Sequence, residues 1–260
     1  MLDLKGYNAV ITGASGGFGF EMAKTLLSCG ANVAVSSRPG EKLENAVKSL
    51  ENEGYSPVCL PMDVRDEASA EKAAQIISER WGRIDMLVNN AGLGTGRVNS
   101  SMEPIDFFQI NPEAFRDVVN TNFIGYFLTA RSFVPLMIKQ GKGQIVNVST
   151  SIPTMTREGQ IPYGPARAAA EAFSVILSKE LKKYSINVNV ILPGGASRTG
   201  LIPEAFREEY EKRGDLLGAD ILNRVILFLA SPLAENLNGE RIIAKEFDVW
   251  LNEKGMKLPF

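Results

Sequence analysis

The sequence contains no histidine, and this absence narrows the chemistry that the chain can perform. Nucleophilic sites of the Ser-His-Asp and Cys-His types need an imidazole base, and His-ligated zinc or non-haem iron needs imidazole ligands. All of these sites are therefore excluded. Acid–base chemistry must come from Tyr, Lys, Asp, Glu or Cys.

Cysteine is scarce, and neither sign of charge is in large excess. The two cysteines, Cys29 and Cys59, form neither a CxxC motif nor a disulfide framework. We therefore predict two small buried thiols in a reducing cytoplasm. The 28 basic and 30 acidic residues give a net charge of −2, which argues against a nucleic-acid or membrane-surface partner.

Long apolar runs are also missing. The longest clean run, residues 225–230, is far too short to cross a bilayer. The first residues show no charged segment followed by an apolar one. We expect neither a membrane span nor a secretory signal.

Short β-branched runs alternate with longer amphipathic segments along the chain. The strand-like runs are residues 9–12, 32–36, 57–62, 86–89, 144–149, 187–192 and 241–244. The helical segments are residues 18–28, 41–53, 67–81, 112–139, 165–184 and 219–230. Several strand-like runs are almost entirely apolar, which is typical of strands covered by helices on both faces. We predict an α/β fold in one domain, a three-layer doubly wound parallel sheet of about seven strands.

Two connections are longer than such a sheet requires. One covers residues 93–111, and the other follows Pro193 and carries a candidate helix over residues 203–212. Long loops at the carboxyl ends of parallel strands usually form a ligand crevice, and ordinary surface loops are the alternative.

A glycine-rich segment, residues 12–19 (TGASGGFG), follows the first predicted strand. Glycines there permit a tight turn, a close approach of the backbone to a pyrophosphate, and close helix packing. The following helix adds free N–H groups and the positive end of its dipole. A P-loop would need a Gly-Lys-Ser/Thr ending, which this segment lacks. The segment predicts a dinucleotide site.

The end of the second predicted strand indicates which dinucleotide. An acidic residue at this point binds the ribose hydroxyls of NAD, whereas a basic one accommodates the 2′-phosphate of NADP. Ser37 and Arg38 stand there. A guanidinium can bind a phosphate, so NADP is favoured and NAD is the second choice. The alternative is that Arg38 is a solvated loop charge.

Together these motifs resemble the short-chain dehydrogenase/reductase family over nearly the whole chain. Asp63-Val64 is similar to its adenine-contacting pair, and residues 89–92 (NNAG) match its sheet-stabilising motif. Pro193-Gly194, with Thr199, is similar to its nicotinamide segment. The resemblance implies a Rossmann-like domain, a homodimer or homotetramer, and a set of cofactor-binding residues. These are Gly13, Ser15, Gly17, Phe18, Gly19, Ser37, Arg38, Asp63, Val64, Asn90, Ala91, Gly92, Tyr163, Arg167, Pro193, Gly194 and Thr199.

The active-site positions depart from the family pattern of Ser, Asn, Tyr and Lys. Tyr163 and Asn122 match, but Thr150 stands 13 residues before the tyrosine where the family has Ser, and Arg167 stands four residues after it where the family has Lys. The resemblance implies that Tyr163 donates the proton to a carbonyl and that the cation beside it lowers its pKa. Arg167 can keep this electrostatic role. It is poorly suited to relay a proton, because arginine effectively never deprotonates.

Three functions remain open at this point. The first is an NADP(H)-dependent oxidoreductase that interconverts a carbonyl and an alcohol. The second is an enzyme of another type on this scaffold, such as an isomerase, cyclase or dehydratase, and the third is a nucleotide-binding protein without catalysis. For Arg167, the competing interpretation is an ion pair with Glu171. The expected substrate is rather apolar, because the predicted pocket is lined by apolar side chains, among them Leu93, Ile152, Leu201, Ile202 and Phe206.

Overall fold

A computed structural model describes residues 2–99, 105–201, 204–214 and 216–258, apart from the side chains of 204–207 and 209. Within these ranges seven parallel strands form one sheet in the order β3-β2-β1-β4-β5-β6-β7. The strands are β1 (Asn8–Thr12), β2 (Asn32–Ser37), β3 (Val58–Pro61), β4 (Met86–Asn89), β5 (Gly143–Val148), β6 (Ile186–Leu192) and β7 (Arg241–Ile243). The predicted doubly wound sheet is confirmed. Its strand order reverses between β1 and β4, and a crevice for a ligand opens at such a point.

Helices cover both faces of the sheet. The described α-helices are α1 (Gly17–Ser28), α2 (Glu41–Asn52), α3 (Glu67–Trp81), α4 (Pro112–Val119), α5 (Gly125–Gln140), α6 (Ile152–Thr156), α7 (Tyr163–Leu181), α8 (Glu204–Arg213), α9 (Asn223–Ala230) and α10 (Phe247–Glu253). The candidate helix in the second long loop corresponds to α8. The short helices α6 and α10 were not predicted, because neither segment is long enough to show a clear helical period.

Alternate residues of the central strands face two separate cores. Ile11 of β1 packs in the core beneath α1, α9 and α10, and the adjacent Val10 packs in the core beneath α3 and α5. Both side chains are fully buried. Because each face is covered, the strands read as continuous apolar runs, and the three-layer prediction is confirmed.

Two expectations from the sequence need correction. The predicted helix over residues 112–139 is divided into α4 and α5 by a π-helical turn, Asn120–Ile124. Cys59 is exposed on the edge strand β3, whose side chains alternate between buried and exposed, and Cys29 is half-buried. The prediction of two buried thiols was therefore wrong. Among the described residues, none of the helices combines the length and apolar content needed to span a membrane.

Candidate active site

The glycine-rich turn packs directly against the segment that follows β4. Gly13 has a φ of 63°, and a Cβ on it would lie 2.6 Å from the Cα of Ala91. A Cβ on Gly19 would lie 2.5 Å from Nδ2 of Asn90. A side chain at either glycine would force the backbone apart, so both positions need glycine. The structure thus places these four predicted cofactor residues together.

Hydrogen bonds hold the same contact. Nδ2 of Asn90 donates to the carbonyl oxygen of Thr12 at 2.9 Å and to that of Gly13 at 3.2 Å. The amide of Ala91 donates to Oγ1 of Thr12 at 3.0 Å. The turn after β1 is therefore fixed from the end of β4, which keeps its backbone amides in a defined direction.

The first amides of α1 have no side chain that caps them, since the residue before the helix is Gly16. Phe18 packs against the core and anchors this end of the helix. A Cβ added to Gly17 would lie 3.3 Å from the Cβ of Thr199. The segment after β6 therefore lies next to the same amides. Free N–H groups at a helix N-terminus, with glycines on both sides, form a cradle that fits a pyrophosphate.

The predicted ribose-phosphate residues lie together at the end of β2. Oγ of Ser15 donates to Oγ of Ser37 at 3.0 Å, which joins the glycine turn to β2. Arg38 follows them and is exposed. These hydroxyls and the guanidinium are suitable donors for a phosphate.

Asp63 and Val64 follow β3 along the same edge of the sheet. Two nitrogens of Arg65 bind the Asp63 carboxylate, with Nη2 at 2.7 Å from Oδ2. Hydrogen bonds from Arg65, helped by the nearby charge of Arg38, hold the pKa of Asp63 below its usual value. Val64 is buried and packs against Gly125 at the start of α5. Asp63 is thus an ionised acceptor at this edge.

Asn122 lies in the π-helical turn and is fully buried. Its Oδ1 accepts from the amide of Leu93 at 2.7 Å, and its Nδ2 donates to the carbonyl of Leu93 at 2.8 Å. This paired contact holds the start of the first long loop against the helix. π turns occur often at functional sites, because they redirect side chains within a helix.

Arg167 is buried beneath the crevice on α7, with 2% of its surface exposed. Its Nη1 donates to the hydroxyl of Tyr126 at 2.5 Å and to the carbonyl of Val148 at 2.8 Å. Burial opposes the charge, but the phenols of Tyr126 and Tyr163 raise the pKa of Arg167 overall. The side chain is a permanent buried cation.

Tyr163 begins α7 and is partly exposed at the crevice. Cζ of Arg167 lies 5.4 Å from the centre of its ring, within the range of a cation–π contact. The guanidinium also packs against Gly92, and a Cβ on Gly92 would collide with Nη2 of Arg167. The geometry brings a phenol, a cation and the backbone of the NNAG segment to one place.

Thr150 follows β5, and its main chain is held from a distant strand. Nη2 of Arg241 donates to the carbonyl of Thr150 at 2.9 Å. Nε of Arg241 lies 2.9 Å from Oε2 of Glu171. Glu171 therefore pairs with Arg241, and the interpretation that it pairs with Arg167 was wrong.

The two long connections meet above the site. Gly94 lies against the carbonyl of Leu201, where a Cβ would collide with it. Gly194 has a φ of 90° and packs beside Lys245, whose amide donates to the carbonyl of Pro193 at 3.1 Å.

Of the residues predicted to line the substrate pocket, Ile152 is exposed on α6. The predicted pocket residue Ile202 and the side chain of Phe206 lie outside the described residues.

Sequence reasoning missed two residues that contact the predicted site. Tyr126 could not be recognised as a site residue, because an aromatic residue in an amphipathic helix usually packs in the hydrophobic core. Arg241 carried a signal, since a charged side chain in an otherwise apolar strand needs a buried partner. Neither could be assigned a partner from spacing alone.

Comparisons with known proteins agree with this architecture. A family model described as short chain dehydrogenase matches residues 7–209. The 3-oxoacyl-[acyl-carrier-protein] reductase FabG of Aquifex aeolicus is 29% identical over 247 residues, covering 93% of this chain and 96% of that protein. The 2,3-dihydro-2,3-dihydroxybenzoate dehydrogenase of Bacillus subtilis is 34% identical over 191 residues, covering 74% of this chain and 70% of that protein.

A solved structure shows the same fold. The 3-ketoacyl-(acyl-carrier-protein) reductase of Brucella melitensis, complexed with NADH, matches with a TM-score of 0.79 at 28% identity. The match covers 93% of this chain and 97% of that one.

Proposed function

The chain belongs to the short-chain dehydrogenase family, and we propose that it is an NADP(H)-dependent oxidoreductase that interconverts a carbonyl and an alcohol. One observation carries this proposal. Tyr163 lies at the crevice with the buried Arg167 cation 5.4 Å from its ring, beside the glycine cradle. A phenol beside a fixed cation is the proton donor that a chain without histidine can supply.

The residues of the crevice fit a nicotinamide nucleotide. Gly13 and Gly19 let the turn after β1 pack directly against Ala91 and Asn90, and the start of α1, which no side chain caps, lies at this turn. When bound, the nicotinamide would supply or accept the hydride. Asn90 would hold the cradle in place, and Asp63 would accept a hydrogen bond from the adenine.

The protein's own groups would handle the proton. The Tyr163 hydroxyl would donate it to the carbonyl oxygen, and the hydroxyl of Thr150 would hydrogen-bond the same oxygen. The Arg167 charge would stabilise the phenolate that remains. Nη1 of Arg167 donates inward, to Tyr126 and to the carbonyl of Val148. Tyr163 would therefore recover its proton from water at the crevice rather than through the guanidinium.

The proposal is tested first by binding and turnover. We expect NADPH to bind more tightly than NADH in a fluorescence titration. We also expect the 340 nm absorbance of NADPH to fall when members of a panel of apolar ketones and aldehydes are added. Binding without any absorbance change would favour an enzyme of another type or a non-catalytic binding protein. Failure of both nucleotides to bind would contradict the proposal.

Arg38 is proposed to select NADP. The Brucella melitensis relative is complexed with NADH. In this chain the exposed Arg38 directly follows Ser37, whose hydroxyl is hydrogen-bonded to that of Ser15. We expect Arg38→Ala to weaken NADPH binding by about tenfold or more, the loss typical of a charged hydrogen bond, because the 2′-phosphate loses this partner. NADH, which has no such phosphate, should bind within about twofold of the parent.

Arg80→Ala is the matched control for Arg38, since it removes an exposed arginine from the far end of α3. Its affinities for both nucleotides should equal those of the parent in the same titrations. An equal loss of NADPH and NADH affinity in Arg38→Ala would count against a 2′-phosphate contact.

Exposed apolar side chains on α5 and α7 support the predicted assembly. Phe127 of α5 and Val175 and Ile176 of α7 are each more than 40% exposed, and the ring of Phe127 packs edge-on against Phe173. A surface of this kind suits a second copy of the chain. A homodimer or homotetramer, and a location in the cytoplasm, stay predictions.

A further inference from the structure

We propose that Tyr126 is a positioning residue that holds Arg167 in place for the reaction. This inference rests on the proposed function, because it assigns Arg167 a role at the cofactor and Tyr163. Tyr126 would touch neither substrate nor cofactor. It would act through the guanidinium alone.

The contact between the two residues is closed and buried. Nη1 of Arg167 donates to the Tyr126 hydroxyl at 2.5 Å, and this hydroxyl donates to the carbonyl of Val148 at 2.9 Å. Nη1 also donates to the same carbonyl at 2.8 Å. Tyr126 and Arg167 are 1% and 2% exposed. Each member of this triangle is fixed by the other two, away from solvent.

An arginine at this position needs such support. Its guanidinium is a planar fork with five N–H donors, whereas an ammonium is a compact charge on a flexible chain. Nε of Arg167 is buried without a hydrogen-bond partner among the described residues. Loss of the Tyr126 acceptor would leave Nη1 with the Val148 carbonyl, while the guanidinium kept its interaction with Tyr163. Unsatisfied buried donors are costly, so the side chain would move.

Tyr126 also sets the distance between the cation and Tyr163. Cζ of Arg167 lies 5.5 Å from the centre of the Tyr126 ring and 5.4 Å from that of Tyr163, so the charge is held near both rings. Burial raises the pKa of Tyr126 by more than the Arg167 charge lowers it. The group therefore stays a neutral phenol that can donate to Val148.

The test is a double-mutant cycle of the parent, Tyr126→Phe, Arg167→Lys and the double variant. We expect Tyr126→Phe alone to weaken nucleotide binding and to lower kcat, each by about fivefold to tenfold, because one charge-assisted hydrogen bond is lost. KM for the carbonyl substrate should change less. In the Arg167→Lys background, where no guanidinium needs this acceptor, the same change should alter both quantities by less than about twofold.

Thr129→Val is the matched control, since it removes a buried hydroxyl from the same helix. Oγ1 of Thr129 donates to the Gly125 carbonyl within the helix. We expect its nucleotide Kd to equal that of the parent. Nucleotide Kd is measured by fluorescence and thermal stability by melting for every variant, so a general loss of folding is visible separately.

The outcomes separate the two proposals. Equal losses from Tyr126→Phe in both backgrounds, or no loss in either, would overturn the positioning role. A parent protein that binds nucleotide but reduces no carbonyl would contradict the oxidoreductase function. The double-mutant cycle measured by nucleotide Kd would still test the positioning role of Tyr126. A parent that binds no nucleotide would overturn both.

Discussion

Tyr163→Phe is expected to lower kcat for carbonyl reduction by about 10²- to 10⁴-fold, the usual contribution of a positioned general acid. The change removes a single oxygen at the start of α7 and keeps the ring that Arg167 contacts. Nucleotide affinity should therefore fall far less than kcat, because the ring and its contact with Arg167 remain. Steady-state kinetics with NADPH and the best substrate of the carbonyl panel measure the first quantity, and a fluorescence titration measures the second.

Tyr184→Phe controls for the removal of a tyrosine hydroxyl. Tyr184 lies after α7, more than a third exposed, and contacts the ammonium of Lys183. Its kcat should equal that of the parent. Full activity in Tyr163→Phe would show that another group supplies the proton, and the proposed mechanism would then be wrong.

Arg167→Ala is expected to have the second large effect, a loss of about 10²-fold or more in kcat/KM. It removes the cation beside Tyr163, leaves a cavity under the crevice, and deprives the Tyr126 hydroxyl of its donor. Arg167→Lys should retain the parent's turnover or raise it, because the charge is kept and an ammonium can exchange protons. Kinetics and nucleotide titrations of the two variants measure the difference.

Arg224→Ala is the control for loss of an arginine. Arg224 forms an exposed ion pair with Asp248 at 2.7 Å, and such pairs contribute little to stability. It should match the parent in both assays. Equal activity of Arg167→Ala and Arg167→Lys would show that the charge at this position does not matter.

The fold could be predicted well because its determinants are local. β1 is covered on both faces and is therefore an apolar run in the sequence. Gly13 after it is required because a Cβ there would lie only 2.6 Å from the Cα of Ala91. The apolar run therefore predicts the strand, and the positions of the glycines predict the turn. The break after Val119 could not be predicted, since a π turn has no residue signature that separates it from α-helix.

The candidate site could be predicted only where spacing alone defines it. Tyr163 and Arg167 are four residues apart on one helix, so their proximity follows from helical geometry. The contacts of Tyr126 and Arg241 join elements far apart in the chain, and Tyr126 and Arg167 are 41 positions apart. Such contacts depend on how helices pack on the sheet, and a single sequence does not reveal that packing.

The π turn between α4 and α5 sets the helical phase of everything after it. Buried residues recur at a spacing of four along this stretch, at Ala114, Val118, Asn122, Tyr126 and Ala130. In an uninterrupted α-helix this spacing would rotate away from the core by about 40° at each step. The π turn is wider and contains more residues per turn, so it offsets part of this rotation. Deleting one residue from it would rotate α5 by about 100° and carry the Tyr126 hydroxyl away from Arg167. The length of this segment is therefore constrained as tightly as its composition.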